Sequence, residues 1–255
     1  MLCTLSPSGD GAAVIQNINA SSERALVIVA AGDGTVNALV NALEPGAATL
    51  AVLPMGTSNV LAAELGISSV AAGMDRIIAG NTKALSVGVI ELEGTSRRFV
   101  LMAGIGFDGA VVRDVSLQHK RELKQGAYAV SAIKNALKWD TTRIGIKAGD
   151  RQFSCHSIVF SNASRYGGNF RLAPDCSVFS PGLEAVCLQK NSRSGYLRLA
   201  WQLFTGRAVS NSSVLRIPLS DCEVRGTKPV QIDGDFIGYS PARVTTLADI
   251  ARIIV

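Results

Sequence analysis

Two short apolar runs, each followed by a glycine-containing turn and by apolar residues at helical spacing, constrain the fold of this chain more than any other feature. The runs are Ala25–Ala31 and Leu50–Leu53, and neither carries a charged residue. Continuous apolar strands of this length are typical of parallel sheets that helices cover on both faces. The segment from residue 25 to about residue 80 is therefore predicted to be an α/β unit.

The sequence changes character after this unit. From Leu85 onward, apolar and polar residues alternate as they do in half-buried strands. A turn at Glu93–Ser96 and a return strand at Phe99–Met102 are predicted to complete a first hairpin. Strand patterns continue to the end of the chain, interrupted by two predicted helices at about 121–139 and about 196–205. A β-rich unit is therefore expected to follow the α/β unit.

Length and composition fit two folded domains. The chain has 255 residues, of which 47% are hydrophobic and 18% charged, which is too apolar for a disordered chain. We predict an α/β domain over residues 1–82 and a β-sandwich domain over residues 83–255, with a last strand that can return to the first domain. The longest apolar run has seven residues, whereas a helix needs roughly 18 to span a bilayer. No transmembrane segment is predicted.

Charge and cysteine usage exclude several classes of protein. The 25 Lys and Arg residues outnumber the 20 Asp and Glu residues, but they are dispersed, and only 5% of the residues are aromatic. The chain therefore lacks the basic stripe and the stacking platform of a nucleic-acid binder. The five cysteines form no CxxC pair, which favours reduced thiols in a cytoplasmic protein.

The sharpest local signal is the turn Gly32–Thr35, between the first predicted strand and its helix. Glycines at this position let backbone N–H groups approach a phosphate at the start of a helix. A second turn, Pro54–Asn59, also follows a strand and opens a helix, with Asn59 placed as an N-cap. Two such loops at neighbouring strand ends can present their donors to one nucleotide. The alternative is a pair of tight turns without a ligand.

Neither loop has the sequence of the common nucleotide-binding motifs. The chain contains no GxxxxGK, and neither loop reads GxGxxG. These absences disfavour an ordinary P-loop NTPase and a Rossmann-type dehydrogenase.

Further motifs follow in a fixed order along the chain. From the first loop onward they are Val27–Asn37, Leu53–Asn59, Gly104–Asp108, Asn162 with Tyr166–Gly168, Ala173–Asp175 and Ile232–Asp235. Together they resemble the catalytic domain of diacylglycerol kinases, sphingosine kinases and bacterial soluble lipid kinases. The resemblance covers nearly the whole chain, and the ordered set is far more specific than any single motif.

The resemblance implies a Rossmann-like nucleotide-binding domain, a β-sandwich lipid-binding domain, and ATP with Mg²⁺ in the cleft between them. It implies transfer of phosphate to a lipid hydroxyl, with diacylglycerol as the first candidate, at a membrane surface that the protein visits peripherally. Asp235 is implied as the base and Asp33 is its rival, while Asp108 is expected near the acceptor head group. The residues implied to hold ATP are Gly32, Asp33, Gly34, Thr35, Asn37, Gly56, Thr57 and Asn59.

Several positions depart from the family pattern. Ala31 replaces a glycine, Ala38 replaces a glutamate, and Asp235 replaces the usual glutamate, while only 31 residues precede Gly32. The short start leads us to expect a truncated N-terminus. These departures leave two alternatives open: a catalytically silent nucleotide or lipid binder, and a kinase of a soluble acceptor such as NAD. The sequence does not select the acceptor lipid, the metal ligands or the oligomeric state, for which a homodimer is one option.

Overall fold

The computed structural model describes residues 10–115, 140–166, 171–188, 194–195 and 214–255. The predicted helices at about 121–139 and 196–205, as well as Gly167 and Gly168, lie outside these ranges. The described helices are α1 (Asp10–Ala20), α2 (Asp33–Ala42), α3 (Val60–Glu64), α4 (Val70–Ala79) and α5 (Phe107–Arg113). The described strands are β1 (Ala25–Ala31), β2 (Ala48–Pro54), β3 (Thr82–Leu92), β4 (Thr95–Phe99), β5 (Met102–Ile105), β6 (Ile144–Ala148), β7 (Arg151–Cys155), β8 (Ser157–Ser161), β9 (Leu183–Leu188), β10 (Val214–Leu219), β11 (Asp221–Arg225), β12 (Pro229–Ile232), β13 (Asp235–Tyr239) and β14 (Ala242–Ile254).

The described strands form two sheets. One has eight strands, in the order β1-β2-β14-β11-β6-β7, with β3 paired to β14 and β4 paired to β3. The other has six, in the order β10-β9-β8-β5-β12-β13. Strands β1 and β2 run parallel. Their carboxyl ends carry the turns Gly32–Thr35 and Pro54–Asn59, which we call the first and second glycine loops. An α/β portion followed by β-sheets is the predicted fold class, which is confirmed.

Strand β14 joins the α/β portion to the rest of the molecule. Near its end, Arg252 and Ile253 pair in parallel with Thr49 and Leu50 of β2. Along most of its length, β14 pairs antiparallel with β3. The parallel strands β1 and β2 and the first antiparallel strands therefore belong to one continuous sheet.

Two apolar cores hold these layers together. One lies around β1, β2 and helices α2 and α3, and extends to residues of the six-stranded sheet such as Val159 and Val186. The other fills the space between the two sheets, where Phe99 and Phe160 are fully buried. Within the described residues, no helix is both long enough and apolar enough to cross a membrane.

The first predicted hairpin is right in its turn and wrong in its return strand. Glu93 and Gly94 both have positive φ, 48° and 79°, as a tight hairpin turn between twisted strands requires. The return strand β4 ends at Phe99, and the chain enters the other sheet at β5, which begins at Met102. The break has a physical cause, because the N–H groups of residues 100 and 101 bond a carboxylate side chain.

Candidate active site

The first glycine loop connects β1 to α2 through a single residue. Gly32 is the N-cap of α2, with an extended backbone and no side-chain cap. Its carbonyl accepts from the N–H of Thr35 (3.1 Å). The first amides of an α-helix have no acceptor within the helix, and those of α2 belong to Asp33 and Gly34. A Cβ built on Gly34 meets nothing within 4 Å, so the loop is open on this side.

The second loop is closed by its own asparagine. Asn59 adopts the left-handed conformation (φ 47°, ψ 46°) and makes no cap hydrogen bond to α3. Instead, its Oδ1 accepts from Gly56 N–H and its Nδ2 donates to the Gly56 carbonyl, both at 2.8 Å. Asn59 occupies the predicted N-cap position, but its side chain shapes the loop and does not cap the helix. Thr57 is exposed at the tip.

The two loops touch at their glycines. A Cβ on Gly56 would lie 2.4 Å from Gly32 Cα, and one on Gly32 would lie 3.2 Å from Gly56 Cα. Only residues without a Cβ allow this approach. The two predicted nucleotide loops are therefore contiguous in space.

Asp33 spans the gap between the loops. Its Oδ1 accepts from Leu61 N–H (2.9 Å) and its Oδ2 from Val60 N–H (3.0 Å). The carboxylate therefore caps α3, where the helix dipole favours a negative charge. Both oxygens are engaged with backbone donors, an arrangement that suits positioning better than proton transfer.

The helix of the first loop reaches the far end of the chain through Asn37. Its Nδ2 donates to Oδ2 of Asp233 (2.5 Å) and to the Arg98 carbonyl (3.2 Å). Asn41, one turn later, donates to Asn37 Oδ1 (2.9 Å). Asn37 is thus oriented toward a turn that lies 196 residues away in sequence.

That turn connects β12 to β13. Asp233 and Gly234 have φ of 45° and 90°, as an Asp-Gly pair has in a two-residue hairpin turn. Asp235, the first residue of β13, pairs with Ile232 across the turn and is exposed. The predicted base therefore stands two residues from the carboxylate that binds Asn37.

Asp233 itself is enclosed by four donors. Its Oδ1 accepts from the N–H groups of Leu101 (2.9 Å) and Met102 (2.8 Å), and its Oδ2 accepts from Val100 N–H (2.7 Å) as well as from Asn37. Burial raises the pKa of this carboxyl group to about 6, against the opposing effect of these hydrogen bonds. Asp233 fixes the turn to the start of β5.

Asp108 occupies a second enclosed position, in the first turn of α5. Gln231 donates to its Oδ2 (2.5 Å), and the hydroxyl of Tyr166 donates to its Oδ1. A Cβ at Gly104 would lie 1.8 Å from Oδ2, so a glycine at this position makes room for the carboxylate. Burial raises the pKa of Asp108. Gln231 also accepts from Gly234 N–H (2.8 Å), which connects Asp108 to the turn before Asp235.

No described group of three or more His, Cys, Asp and Glu side chains could enclose a metal ion. The oxygens of Asp33, Asp108 and Asp233 accept hydrogen bonds from protein donors, as described above. Mg²⁺ commonly binds through one or two carboxylates plus substrate phosphates and waters. These three carboxylates are engaged with groups of the protein itself.

Sequence reasoning assigned no role to three contributors, although Asp233 lies within the quoted motif Ile232–Asp235. Asp233 and Gln231 are enclosed links in this network, and Glu64 at the end of α3 accepts from Ser164 N–H (3.1 Å) and Oγ (2.8 Å). An Asp-Gly pair between two strand patterns could have predicted the turn at Asp233. Nothing local in the sequence could have predicted its contact with Asn37.

Comparison with known proteins identifies the family. Residues 2–90 match the diacylglycerol kinase catalytic domain, and residues 102–255 match the YegS C-terminal NAD kinase beta sandwich-like domain. The chain belongs to the diacylglycerol kinase family, with these two parts in this order.

Individual relatives agree with this assignment. A diacylglycerol kinase of Bacillus subtilis (strain 168) is 27% identical over 230 residues, which cover 87% of this chain and 75% of the relative. A diacylglycerol kinase of Mycobacterium tuberculosis (strain H37Rv) is 26% identical over 235 residues, covering 89% and 76%. The crystal structure of a diacylglycerol kinase from Bacillus anthracis str. Sterne superimposes with a TM-score of 0.70 at 19% identity, covering 98% and 82%. At this identity the superposition shows the fold alone.

Proposed function

We propose that this protein transfers the γ-phosphate of ATP to the hydroxyl of a membrane lipid, with diacylglycerol as the preferred acceptor. The observation that carries the proposal is the hydrogen bond between Asn37 and Asp233. It joins the helix that opens at the first glycine loop to the turn that bears Asp235. A nucleotide phosphate held at the loop and an acceptor hydroxyl near Asp235 would then meet at one place.

The chemistry suits these residues, because phosphoryl transfer depends on positioning and on neutralising charge. Amides at the start of α2, those of Asp33 and Gly34, and amides at the tip of the second loop, at Thr57 and Ser58, would hold the phosphates, as helix N-termini and glycine loops do. Asn37 would orient the site, and Asp235 would accept the proton of the lipid hydroxyl. Asp108 would stand on the acceptor side. Mg²⁺ bound to ATP would supply further neutralisation of the phosphate charge.

A second candidate is a protein that binds nucleotide and lipid without transferring phosphate. The engagement of both Asp33 oxygens with α3 favours it, because this carboxylate is held by backbone donors. Asp235 is the shorter replacement of the family's glutamate, which also weakens reach toward a hydroxyl. Binding of ATP without transfer would support this candidate.

The test is transfer of labelled phosphate from Mg-ATP to a panel of lipids in mixed micelles, with NAD as a soluble acceptor. We expect Asp235→Asn to abolish transfer while leaving ATP binding intact, and Asp33→Asn to weaken ATP binding and to lower the melting temperature. Asp249→Asn is the matched control, because Asp249 is an exposed acid at φ 52°, a conformation that asparagine tolerates. Transfer to NAD alone, or ATP binding without any transfer, would contradict the proposal.

A further inference from the structure

Two aromatic side chains are exposed immediately after the candidate base. Phe236 and Tyr239 of β13 are 37% and 42% exposed. Their rings meet edge to face, with centroids 5.5 Å apart and planes at 79°. In the described part of the chain, the other large apolar side chains with comparable exposure are aliphatic or methionine. This exposed pair of rings is therefore a candidate interaction surface.

The register of β13 places this pair on the side of the sheet that carries Asp108. Phe236 pairs with Gln231, and the pairing shifts between Val230 and Gln231. Directly paired residues of antiparallel strands lie on the same face of a sheet. Gln231 binds Asp108 on that face, whereas Ile237 packs into the core between the sheets. The rings therefore lie on the same face of the sheet as Asp108, which is expected near the acceptor head group.

The pair also has a polar rim. Arg113, at the end of α5, donates to the Tyr239 hydroxyl (3.4 Å) and to Asp114 (2.8 Å). Its side chain is 36% exposed. Rings that carry a hydroxyl and a guanidinium at their edge form the amphipathic arrangement found at membrane–water interfaces. Because α5 also carries Asp108, one short helix connects the rim to the enclosed acid.

The energetics of the acceptor call for such a surface. Removing an acyl chain from a bilayer costs roughly 0.8 kcal/mol per CH₂ group, so a two-chain lipid is far cheaper to phosphorylate at the interface than to extract. A protein with exposed rings on the acceptor side of its site can meet the lipid there. A soluble acceptor would need no such apolar surface.

We propose that Phe236, Tyr239 and Arg113 form the surface by which this protein docks on a lipid bilayer, on the face of the sheet that carries Asp108, so that an acylglycerol head group enters the site from the bilayer interface. This inference rests on the proposed function for the acceptor, and it adds where on the molecule the membrane is met. The phenol and the guanidinium face the head-group region, and the rings face the outer acyl region.

The test compares Phe236→Ser/Tyr239→Ser with Ile78→Ser. Ile78 on α4 is 80% exposed and lies outside the site, so its variant removes a similar apolar side chain elsewhere. The first measurement is sedimentation with vesicles of phosphatidylcholine, phosphatidylglycerol and dioleoylglycerol. We expect the double variant to lose roughly tenfold in vesicle binding, equivalent to about 1.4 kcal/mol, and Ile78→Ser to bind as the wild type does.

The second measurement is phosphate transfer to two forms of acceptor: dioleoylglycerol in vesicles and a monomeric short-chain diacylglycerol. We expect a raised KM for the vesicle acceptor only, with the rate on the short-chain acceptor and the KM for ATP unchanged. If the serine variants do not fold, Phe236→Leu/Tyr239→Leu keeps apolar volume while removing the rings and the hydroxyl, and tests the same surface.

The outcomes separate the two proposals. If the double variant loses vesicle binding and the wild type phosphorylates no lipid, the docking surface is upheld and the proposed function is overturned. A wild type that phosphorylates lipid, with a double variant that equals it on vesicles, would overturn the docking surface alone. Equal loss on both acceptor forms would also overturn it, because the rings would then belong to the site and not to a membrane contact.

Discussion

Asp233 is the residue on which the two sides of the site depend, although it is not itself placed to meet a substrate. Its four donors come from Asn37 on α2 and from three consecutive amides that precede and open β5. Loss of this carboxylate would release the turn from α2 and from the sheet together. Its protonation state therefore matters for stability.

We predict that titration of Asp233 makes the protein more stable at mildly acid pH than at neutral pH. Burial raises the pKa of Asp233 from 3.8 to about 6. Between those values the folded protein keeps a proton that the unfolded chain has released, so the free energy of unfolding falls as the pH rises from about 4 to about 6 and is then constant. The difference corresponds to about 3 kcal/mol.

The measurement is urea unfolding of the wild type and of Asp233→Asn between about pH 4 and about pH 8. The variant cannot titrate at this position, so the difference between the two proteins should change by about 3 kcal/mol across the interval. Asp108 and Glu184, whose pKa values burial also raises, titrate in both proteins and cancel in the difference. Parallel stability curves would show that Asp233 does not titrate in this range.

At the scale of single residues, the sequence predicts where the loop residues lie but not which groups they bind. Asp33 and Asn59 lie in the loops that the glycines mark. Their actual partners, the α3 amides and Gly56, follow from the contact between the loops, which no spacing reveals. Asp233 is selected by a contact across 196 residues, and contacts at such separations leave no local pattern in one sequence.

Among the structural elements, the two glycine loops make the most specific prediction. Gly56→Ala would place a Cβ 2.4 Å from Gly32 Cα, and a backbone atom cannot yield as a flexible side chain can. We expect a loss of roughly 1–3 kcal/mol of stability, together with weaker ATP binding. Gly34→Ala meets open space and lies in a helix, so we expect unchanged or slightly raised stability but weaker ATP binding.

Melting temperature and nucleotide titration together distinguish the two variants. Gly145→Ala in β6 is the control, because the nearest atom to its new Cβ is Arg225 Cβ at 3.9 Å, and both quantities should stay as in the wild type. ATP affinity that is unaffected in Gly34→Ala would mean that phosphates do not approach this side of α2.

Elements with a strong local pattern are predicted well. Strand β1 has the predicted bounds. Helix α4 ends at Ala79, and Gly80 follows it in the left-handed conformation, which is common for a glycine after a helix. The break between β4 and β5 is not predictable in this way, because the Val100 and Leu101 amides leave the strand ladder for Asp233. Strand β13 begins directly after the turn at Asp233 and Gly234. In the sequence, this Asp-Gly pair is more readily interpreted as part of a catalytic motif than as a hairpin turn.

For the whole molecule, β14 decides whether the two portions behave as one. It pairs with β2 on one side of its C-terminal half and with β3 on the other. The Asn37–Asp233 and Glu64–Ser164 pairs add hydrogen bonds between helices α2 and α3 and the β-rich part. A substitution that destabilises β14 should therefore also destabilise the glycine loops, although these lie far from it in sequence.

Ile253→Ala tests this coupling. Ile253 is fully buried and stands opposite Leu50 of β2 and Lys83 of β3, so its truncation should cost about 3 kcal/mol. Ile78→Ala, at a position that is 80% exposed, should change stability by no more than about 0.5 kcal/mol. In urea, the loss of nucleotide binding and the loss of circular dichroism should coincide in both variants, because one sheet carries both portions. If Ile253→Ala loses nucleotide binding at a lower urea concentration than its circular dichroism, the α/β portion unfolds separately, and β14 does not couple the glycine loops to the β-rich part.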